Sequence, residues 1–428
     1  MQSQYRLSLV EAIFVNINVM IGMGIFVNTY PLIKQVGVFS FVNYLVVGIL
    51  LLPLILSMIR LVFLHPEGGF YTYATQELNP SCGFISSWSY FIGKTASATL
   101  ILYAVTLIVR DLVPLLRIAN PFVLFIFFLM IVIVVNTYGM RFGSFVQKII
   151  VCAKFVPILI IIGVGIWYFS TQSLPSIEFN LYSLIMTIPI VLYATMGFET
   201  ACVLSLTIEN AKKNAPIAIF TSYLMVIFIA ALYQFFASIT LIPFIPLFHE
   251  YQDVFKYIAK FFSSISLENE IWALLYGGVA ISGIGSAFGI LYSNMWNLYT
   301  LAKNNDIPLK NHCTSLNICG IPVFCLFIEG IVSLFLILIS QANIILLQQC
   351  SALAISLTFT ISVLSLLIRY LKNRQSPLLP FLGLINCFIF IIASLYSLIK
   401  TNSYGFILFA CLLLFGIVIL LISKRNKK

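Results

Sequence analysis

Long apolar runs separated by short polar segments dominate the hydrophobic pattern of this 428-residue chain. A bilayer core of about 30 Å takes roughly 20 helical residues to cross, and counting runs of that length predicts twelve membrane spans in an all-α polytopic fold. The short connections leave no room for a separate soluble domain. The predicted spans cover residues 9–33, 39–63, 84–109, 121–138, 145–169, 183–207, 216–241, 270–300, 322–340, 343–369, 378–399 and 404–423.

The composition fits a membrane protein, since 61% of residues are hydrophobic and only 8% are charged, against about 25% in soluble domains. With the N-terminus inside, 15 of the 23 Lys and Arg residues fall on the cytoplasmic side and six on the outer side. Because basic residues accumulate in cytoplasmic loops, we expect both termini to be cytoplasmic, in an inner or plasma membrane. The net charge of +10 then reflects topology and attraction to anionic lipid, and no nucleic-acid partner is expected.

The first predicted span is interrupted near its middle by the segment Gly22, Met23 and Gly24. Each glycine weakens a helix by roughly 1 kcal/mol relative to alanine, and backbone groups freed inside a bilayer need partners. Two interpretations follow: the end of a half-helix that faces a bound solute, or close helix packing through small residues.

A second interruption favours the solute interpretation. The sixth predicted span is broken at residues 194–197, and Glu199 follows at once. Two interrupted spans at corresponding places of two halves are the best sequence indication of the substrate site of a secondary transporter.

The motifs of enzymes and metal sites are not found in the sequence. It contains no GxSxG, HExxH or phosphate-binding loop, and its nine cysteines form no CxxC pair. Catalysis would need such a constellation, so we expect neither an enzyme nor a bound metal or cofactor.

Three ionisable residues are predicted at one depth in the membrane. At 1.5 Å per helical residue, Lys94, Lys154 and Glu199 each lie about 14 to 15 Å from a span end, close to the bilayer middle. Charges at that depth face the protein interior and find partners. Lys148, only about 5 Å into its span, reaches water along its flexible stem.

Six short motifs, in order along the chain, resemble the amino acid–polyamine–organocation superfamily of transporters. They include Gly-Met-Gly-Ile-Phe at 22–26, Lys-Phe-Val-Pro at 154–157 and Gly-Phe-Glu at 197–199. The other three motifs are residues 66–73, 136–139 and 301–308. Glu209, Asn210 and Pro216 accompany the Gly-Phe-Glu motif. The resemblance implies a LeuT-type fold of two inverted five-span repeats, with helices 1 and 6 discontinuous. The implied divisions are a first repeat at 1–170, a second repeat at 183–370, and a peripheral pair of spans with a basic tail at 377–428. This peripheral pair is a candidate surface for a homodimer.

The resemblance also implies a binding site where the two interruptions meet. In this superfamily the backbone amides at the first interruption hold the solute carboxylate, and carbonyls at both interruptions hold its amino group. The residues expected at the carboxylate are Ile21, Gly22, Met23 and Gly24, and those expected on the opposite wall are Ala194, Thr195 and Gly197. Tyr193 matches an aromatic gate of the related arginine–agmatine antiporters; the alternative is a packed aromatic ring.

The same resemblance implies roles for the three charged residues near the bilayer middle. Lys154 matches a lysine that occupies the place of sodium in sodium-independent members; it either relays a proton or only ties span five to span one. Glu199 matches a carboxylate implicated in proton coupling, or it caps the second half of span six. Lys94 either favours an acidic solute or pairs with Glu199.

We therefore expect a sodium-independent amino acid transporter that works by alternating access and is proton-coupled or exchanging. An amino acid/amine (polyamine) antiporter is the alternative within this class, and a transport-inactive sensor or accessory membrane subunit is the alternative outside it. Met23, Arg60 and Met295 depart from the superfamily pattern, and Met23 is expected to narrow the site.

Overall fold

The computed structural model describes residues 6–66, 68–172, 180–401 and 404–425. Their regular structure is helical, apart from one isolated bridge between Leu7 and Ile208. The α-helices are α1 (Leu9–Met20), α2 (Gly24–Val27), α3 (Thr29–Val36), α4 (Ser40–Leu50), α5 (Leu52–Leu64), α6 (Phe70–Glu77), α7 (Pro80–Leu112), α8 (Pro121–Asn136), α9 (Met140–Thr171), α10 (Leu181–Ala194), α11 (Thr200–Val203), α12 (Ala211–Leu241), α13 (Asp253–Ala259), α14 (Glu268–Lys303), α15 (Lys310–Cys313), α16 (Val323–Ile339), α17 (Ile344–Lys372), α18 (Leu378–Thr401) and α19 (Gly405–Arg425). Short 3-10 helices cover Gly37–Phe39, Pro114–Arg117, Ser205–Thr207, Ile242–Leu247 and Lys260–Ile265.

The helices confirm the all-α polytopic class. Nine helical stretches in the described part of the chain are long and apolar enough to cross a membrane, and α5, α8 and α16 are shorter apolar helices. The prediction of twelve spans is compatible with this set and stays a prediction. The predicted bounds of the uninterrupted spans from the third onward fall within about five residues of the observed ones, because apolar length alone fixes them.

Local sequence explains where several helices begin. Ser8 and Glu11 form a capping box at the start of α1, in which each side chain bonds the backbone of the other residue. The side chains of Asn79 and Asn120 accept backbone N–H groups at the starts of α7 and α8, each followed by proline. The first span continues to Val36, past its predicted end at residue 33. Pro31 is tolerated because it lies in the first turn of α3, where a missing N–H costs nothing.

The interior of the bundle is built from α7 and α14. In each, 78% of the most apolar segment is buried, against 22% in α19. Helices α7 and α14 pack along each other, and α17 packs on α7 from a second side. The last two helices thus lie at the periphery, with most of their apolar side chains facing lipid.

Both predicted interruptions are present and they contact each other. The first separates α1 from α2 at residues 21–23, and the second separates α10 from α11 at residues 195–199. A Cβ added to Gly24 would lie 3.3 Å from the Cα of Ala194, and one added to Gly197 would lie 2.9 Å from the amide nitrogen of Met20. The division into inverted repeats at 1–170 and 183–370, with 377–428 outside them, stays a prediction.

Candidate functional site

The carbonyls at the end of α1 are held by a buried lysine. The ammonium of Lys154, fully buried in α9, donates to the carbonyls of Asn18 at 2.8 Å and Ile21 at 2.6 Å. The hydroxyls of Ser282 and Ser286 in α14 donate to the same two carbonyls, each at 3.0 Å. A helix C-terminus leaves its last carbonyls without partners and carries partial negative charge, so the ammonium satisfies and neutralises this end.

Backbone amides face the other side of the first interruption. The N–H groups of Phe26 and Val27 both donate to the Met23 carbonyl at 3.0 Å. The N–H groups just before them, those of Gly24 and Ile25, donate to no backbone carbonyl among the described residues. Such first-turn amides carry partial positive charge and are suited to an anionic oxygen.

At the second interruption, Glu199 forms an ion pair with Lys94 of α7. One Glu199 oxygen also accepts the Gly197 N–H at 2.8 Å. Both charged side chains are buried, with exposed fractions of 0% and 2%. Glu199 does not cap α11, because its side chain folds back onto Gly197 and makes no hydrogen bond to the first turn of that helix. The pairing of Lys94 with Glu199, which the sequence left as one of two interpretations, is present.

One asparagine joins α1 to the second interruption. The Asn16 side chain of α1 donates to the Phe198 carbonyl at 3.1 Å and accepts the Ala201 N–H at 3.0 Å. It therefore satisfies one acceptor and one donor of the broken sixth span. Burying an amide in this way is favourable only when its polar groups are bonded.

A cavity of about 260 Å³ lies where the interruptions meet. It extends along the second half of α7 to the start of α17. Of the predicted site residues, those on its wall are Gly22, Met23, Gly24, Ala194 and Lys94.

The other predicted residues lie behind this wall. The Ile21 carbonyl is occupied by Lys154, and the Thr195 hydroxyl donates back to the Leu192 carbonyl at 3.0 Å. Gly197 packs against Met20 instead of facing the cavity. The side chain of Tyr193 lies outside the described part of the structure.

Met23 packs into the space beside a glycine of α14. A Cβ added to Gly283 of α14 would lie 2.8 Å from the Met23 sulfur, so the methionine side chain enters the space that this glycine leaves. Met23 still contributes to the cavity wall. The glycine-rich α14 accommodates the larger residue.

Four further polar residues on the wall were missed in the sequence: Asn28, Ser97, Tyr251 and Gln348. Gln348 and Ser97 are polar positions inside apolar spans, which is a usable signal. Tyr251 belongs to the segment before α13 and is anchored by a hydroxyl contact of 3.2 Å with Tyr276. No local pattern indicates that this loop reaches the cavity.

On the N-terminal side, backbone pairing joins the segment before α1 to the segment after α11. The Leu7 amide donates to the Thr207 carbonyl at 2.8 Å, and the Glu209 amide donates to the Leu7 carbonyl at 2.9 Å. Glu11 of α1 also pairs with Lys148 of α9 at 2.8 Å. These contacts join the first span, the sixth span and α9 at this end.

A multi-pass helical membrane protein whose two interrupted helices meet at a cavity in this way has the architecture of a secondary transporter. A model of the family described as amino acid permease matches residues 7–428, and the chain belongs to this family. The resemblance to the amino acid–polyamine–organocation superfamily is thereby confirmed, and the family is one of transporters, not of enzymes.

Individual relatives match shorter parts of the chain. The Cationic amino acid transporter 1 and the Uncharacterized amino-acid permease C359.01, both of Schizosaccharomyces pombe, are each 29% identical over 153 residues, 34% of this chain. The match covers 25% and 26% of those relatives, respectively. The Uncharacterized transporter Rv1999c of Mycobacterium tuberculosis is 31% identical over 93 residues, 22% of this chain and 21% of its own length. The matches thus span about a quarter of the curated relatives.

Proposed function

We propose that this protein carries amino acids across the membrane by alternating access, without sodium, and that it is coupled to protons or works as an exchanger. The observation that carries this proposal is the cavity at the two interruptions. On its wall lies Gly24, whose amide bonds no backbone carbonyl among the described residues, and behind it lies a buried lysine ammonium. Family membership and the transporter names of the relatives support it.

In this proposal the solute carboxylate binds the amides of Met23 and Gly24, where the partial charge of the helix start is positive. The Gly22 N–H already donates to the Met20 carbonyl at 2.9 Å. Carbonyls of the two interruptions receive the amino group. No Asp or Glu lines the cavity among the described residues, and the nearby Glu199 is already paired with Lys94. A neutral amino acid therefore suits the site better than a cationic one, although one relative is named for cationic amino acids.

Sodium independence rests on Lys154. Its ammonium lies between two carbonyls that the broken helix would otherwise leave unsatisfied. Carbonyl and hydroxyl oxygens of this kind are ligands of hard cations. A fixed ammonium at that position supplies the positive charge without an ion.

Alternating access and orientation complete the proposal. The pairing of Leu7 with Thr207 and Glu209 on the N-terminal side is a contact that we expect to separate during transport. Both termini are proposed to be cytoplasmic, supported by the excess of Lys and Arg on that side. A homodimer through α18 and α19 stays a prediction.

The test is reconstitution of the purified protein in liposomes, with uptake of a panel of labelled amino acids and amines. Uptake is measured with and without sodium, with a pH gradient, and with unlabelled solute inside. We expect uptake of neutral amino acids that ignores sodium and responds to the pH gradient or to internal solute.

Lys154→Ala provides the specific variant and Lys372→Ala the control, because Lys372 is an exposed lysine at the end of α17. Uptake is expected to be lost in Lys154→Ala and kept in Lys372→Ala. Strict sodium dependence of the wild type would rule out the role given to Lys154. If no amino acid or amine were transported, the chain would be a sensor or an accessory subunit.

A further inference from the structure

Two cations without an acidic partner lie at one aromatic ring near the end of α5. The Arg60 guanidinium is 5.4 Å and the Lys212 ammonium of α12 is 5.0 Å from the centre of the Phe63 ring. Neither cation forms an ion pair among the described residues. The ring attracts both of them, but it does not neutralise them. Two positive charges are therefore held close together, an arrangement that suits an anion.

The Arg60 side chain also has a donor without an acceptor. Its Nε atom is shielded from solvent and bonds no oxygen in the described part of the chain, although the residue as a whole is partly exposed. A donor that bonds neither protein nor water costs free energy. Turning this flexible side chain toward an oxygen of a bound anion would satisfy it, and a guanidinium matches the oxygens of a phosphate with two parallel hydrogen bonds.

Two lysines begin α12 where helix stability disfavours them. Lys212 and Lys213 are the second and third residues of this 31-residue helix, and cations are unfavourable at a helix start because its partial charge is positive. The first turn contains no acid, and the Asn210 side chain does not cap it. The preceding acid, Glu209, is exposed and forms no ion pair within the described ranges. Positive charge is thus concentrated at this end of α12.

Exposed apolar side chains continue from these cations along both helices. On α12, the exposed apolar residues that follow Lys213 at intervals of four, three and four are Ile217, Phe220 and Leu224. On α5, the exposed Leu56 lies seven residues before Phe63. Residues at such spacings share one face of a helix. Helices α5 and α12 pack against each other, so cations lie at one end of a pair of apolar faces.

This end of α5 and α12 belongs to the N-terminal side of the bundle. The Gly68 carbonyl, just after α5, accepts the Ser205 hydroxyl at 2.7 Å. Two residues further on, the Thr207 carbonyl accepts the Leu7 amide at 2.8 Å. The cations therefore lie at the level of the first residues before α1, where the apolar part of the bundle ends. Anionic headgroups at a membrane surface attract basic residues at such a level.

We propose that Arg60, Lys212 and Lys213 bind the headgroup phosphate of an anionic phospholipid whose acyl chains lie along the apolar faces of α5 and α12. This site goes beyond the proposed function, because it involves no transported solute. The guanidinium and the ammonium groups donate to the phosphate oxygens. Free phosphate would lack the apolar contact of the acyl chains. A zwitterionic lipid carries its own cation, which competes with these three side chains for the phosphate.

The test is native mass spectrometry of the purified full chain in detergent micelles that contain equal amounts of phosphatidylglycerol and phosphatidylcholine with the same acyl chains. The wild type is expected to retain phosphatidylglycerol preferentially. In the double variant Arg60→Gln/Lys212→Gln, retention of phosphatidylglycerol should fall roughly tenfold. The control, Lys310→Gln/Lys372→Gln, removes the same charge at two exposed lysines of α15 and α17 and should keep the preference.

Equal retention of phosphatidylglycerol by the wild type and the Arg60→Gln/Lys212→Gln variant would overturn the inference. Equal retention of the two lipids by the wild type would also overturn it, and this comparison holds even if the variant fails to fold.

Thermal unfolding gives a second readout, because a ligand that binds only the folded state raises the melting temperature. Phosphatidylglycerol should raise the melting temperature of the wild type and of the control variant more than phosphatidylcholine does. It should not do so for Arg60→Gln/Lys212→Gln. If inorganic phosphate at millimolar concentration raised the melting temperature as much and displaced the retained lipid, the site would bind free phosphate and the lipid assignment would be wrong.

Discussion

At the scale of single residues, the buried pair of Lys94 and Glu199 is the feature with the largest energetic consequence. Separating two charges from water is costly, and removing one partner leaves the other uncompensated. The Gly197 amide adds a hydrogen bond to Glu199, which offsets part of that cost. The pair lies at the cavity, so its integrity affects both stability and solute binding.

We predict that Lys94→Met and Glu199→Gln each lower the free energy of unfolding, by about 3 to 5 kcal/mol for a broken buried pair. The double variant should recover much of this loss, because no unpaired charge remains. Thermal unfolding of the four proteins in detergent measures the effect. If the two losses simply added in the double variant, the side chains would not interact in the way described.

The deep charges could be predicted from the sequence, since counting residues from the span ends placed Lys94, Lys154 and Glu199 at one level. Their partners depend on how the spans pack. The carbonyls that hold Lys154 are backbone groups and leave no trace in residue identity.

At the scale of elements, the second interruption depends on one glycine. Gly197 has a φ of +124°, and a Cβ there would lie 2.9 Å from the Met20 amide nitrogen. Backbone in that region is strained for any residue with a side chain. The close approach of the sixth span to α1 therefore requires glycine at this position.

Gly197→Ala is predicted to destabilise the protein by roughly 1 to 3 kcal/mol from backbone strain, with a further loss from the contact with Met20, and to abolish uptake. Gly163→Ala is the matched control, because a Cβ there meets no atom within 4 Å. It should be neutral or slightly stabilising, since alanine is the better helix former. Equal melting temperatures for the two variants would contradict this interpretation of the interruption.

The short helix α13 leads to a prediction of how its local stability depends on pH. Burial tends to raise the Asp253 pKa, but the backbone N–H groups of Glu250 and His249 and the Lys256 ammonium outweigh it and lower the pKa. A lowered folded-state pKa contributes stability above the unfolded value of about 3.9 that is lost as the pH falls through the folded value. Acid should therefore loosen α13.

Hydrogen exchange of residues 248–259, corrected for intrinsic rates, measures this loosening between about pH 5 and pH 3. The wild type should lose protection over that interval. Asp253→Asn should show weak protection at both pH values, and Glu250→Gln should behave like the wild type. Loss of protection in Asp253→Asn as steep as in the wild type would assign the effect to another group.

Element bounds followed closely from apolar length, and the two interruptions followed from their glycines. The continuation of the first span past Pro31 could not be predicted from the sequence, because proline is compatible with a first helical turn as well as with the end of a helix. The place of Tyr251 at the cavity was also beyond the sequence, since a surface segment carries no pattern that shows which helices it covers.

At the scale of the whole molecule, the contacts on the N-terminal side and the cavity lie at different levels of the bundle. The backbone pairing of Leu7 with Thr207 and Glu209 and the contact between Glu11 and Lys148 join α1, the sixth span and α9 at that end. The cavity lies beyond these contacts, toward the end of α7. Transport by alternating access requires that these contacts and the opposite wall open in turn.

The most direct measurement is exchange of a labelled neutral amino acid in liposomes by the wild type, Gly24→Val and Gly163→Val. A Cβ at Gly24 would lie 3.3 Å from the Cα and Cβ of Ala194, so valine fills the meeting point of the two interruptions, while Gly163 faces open space. We predict that exchange is lost in Gly24→Val, with a lower melting temperature from overpacking but a cooperative transition, and kept in Gly163→Val. Full exchange by Gly24→Val would show that the solute binds elsewhere.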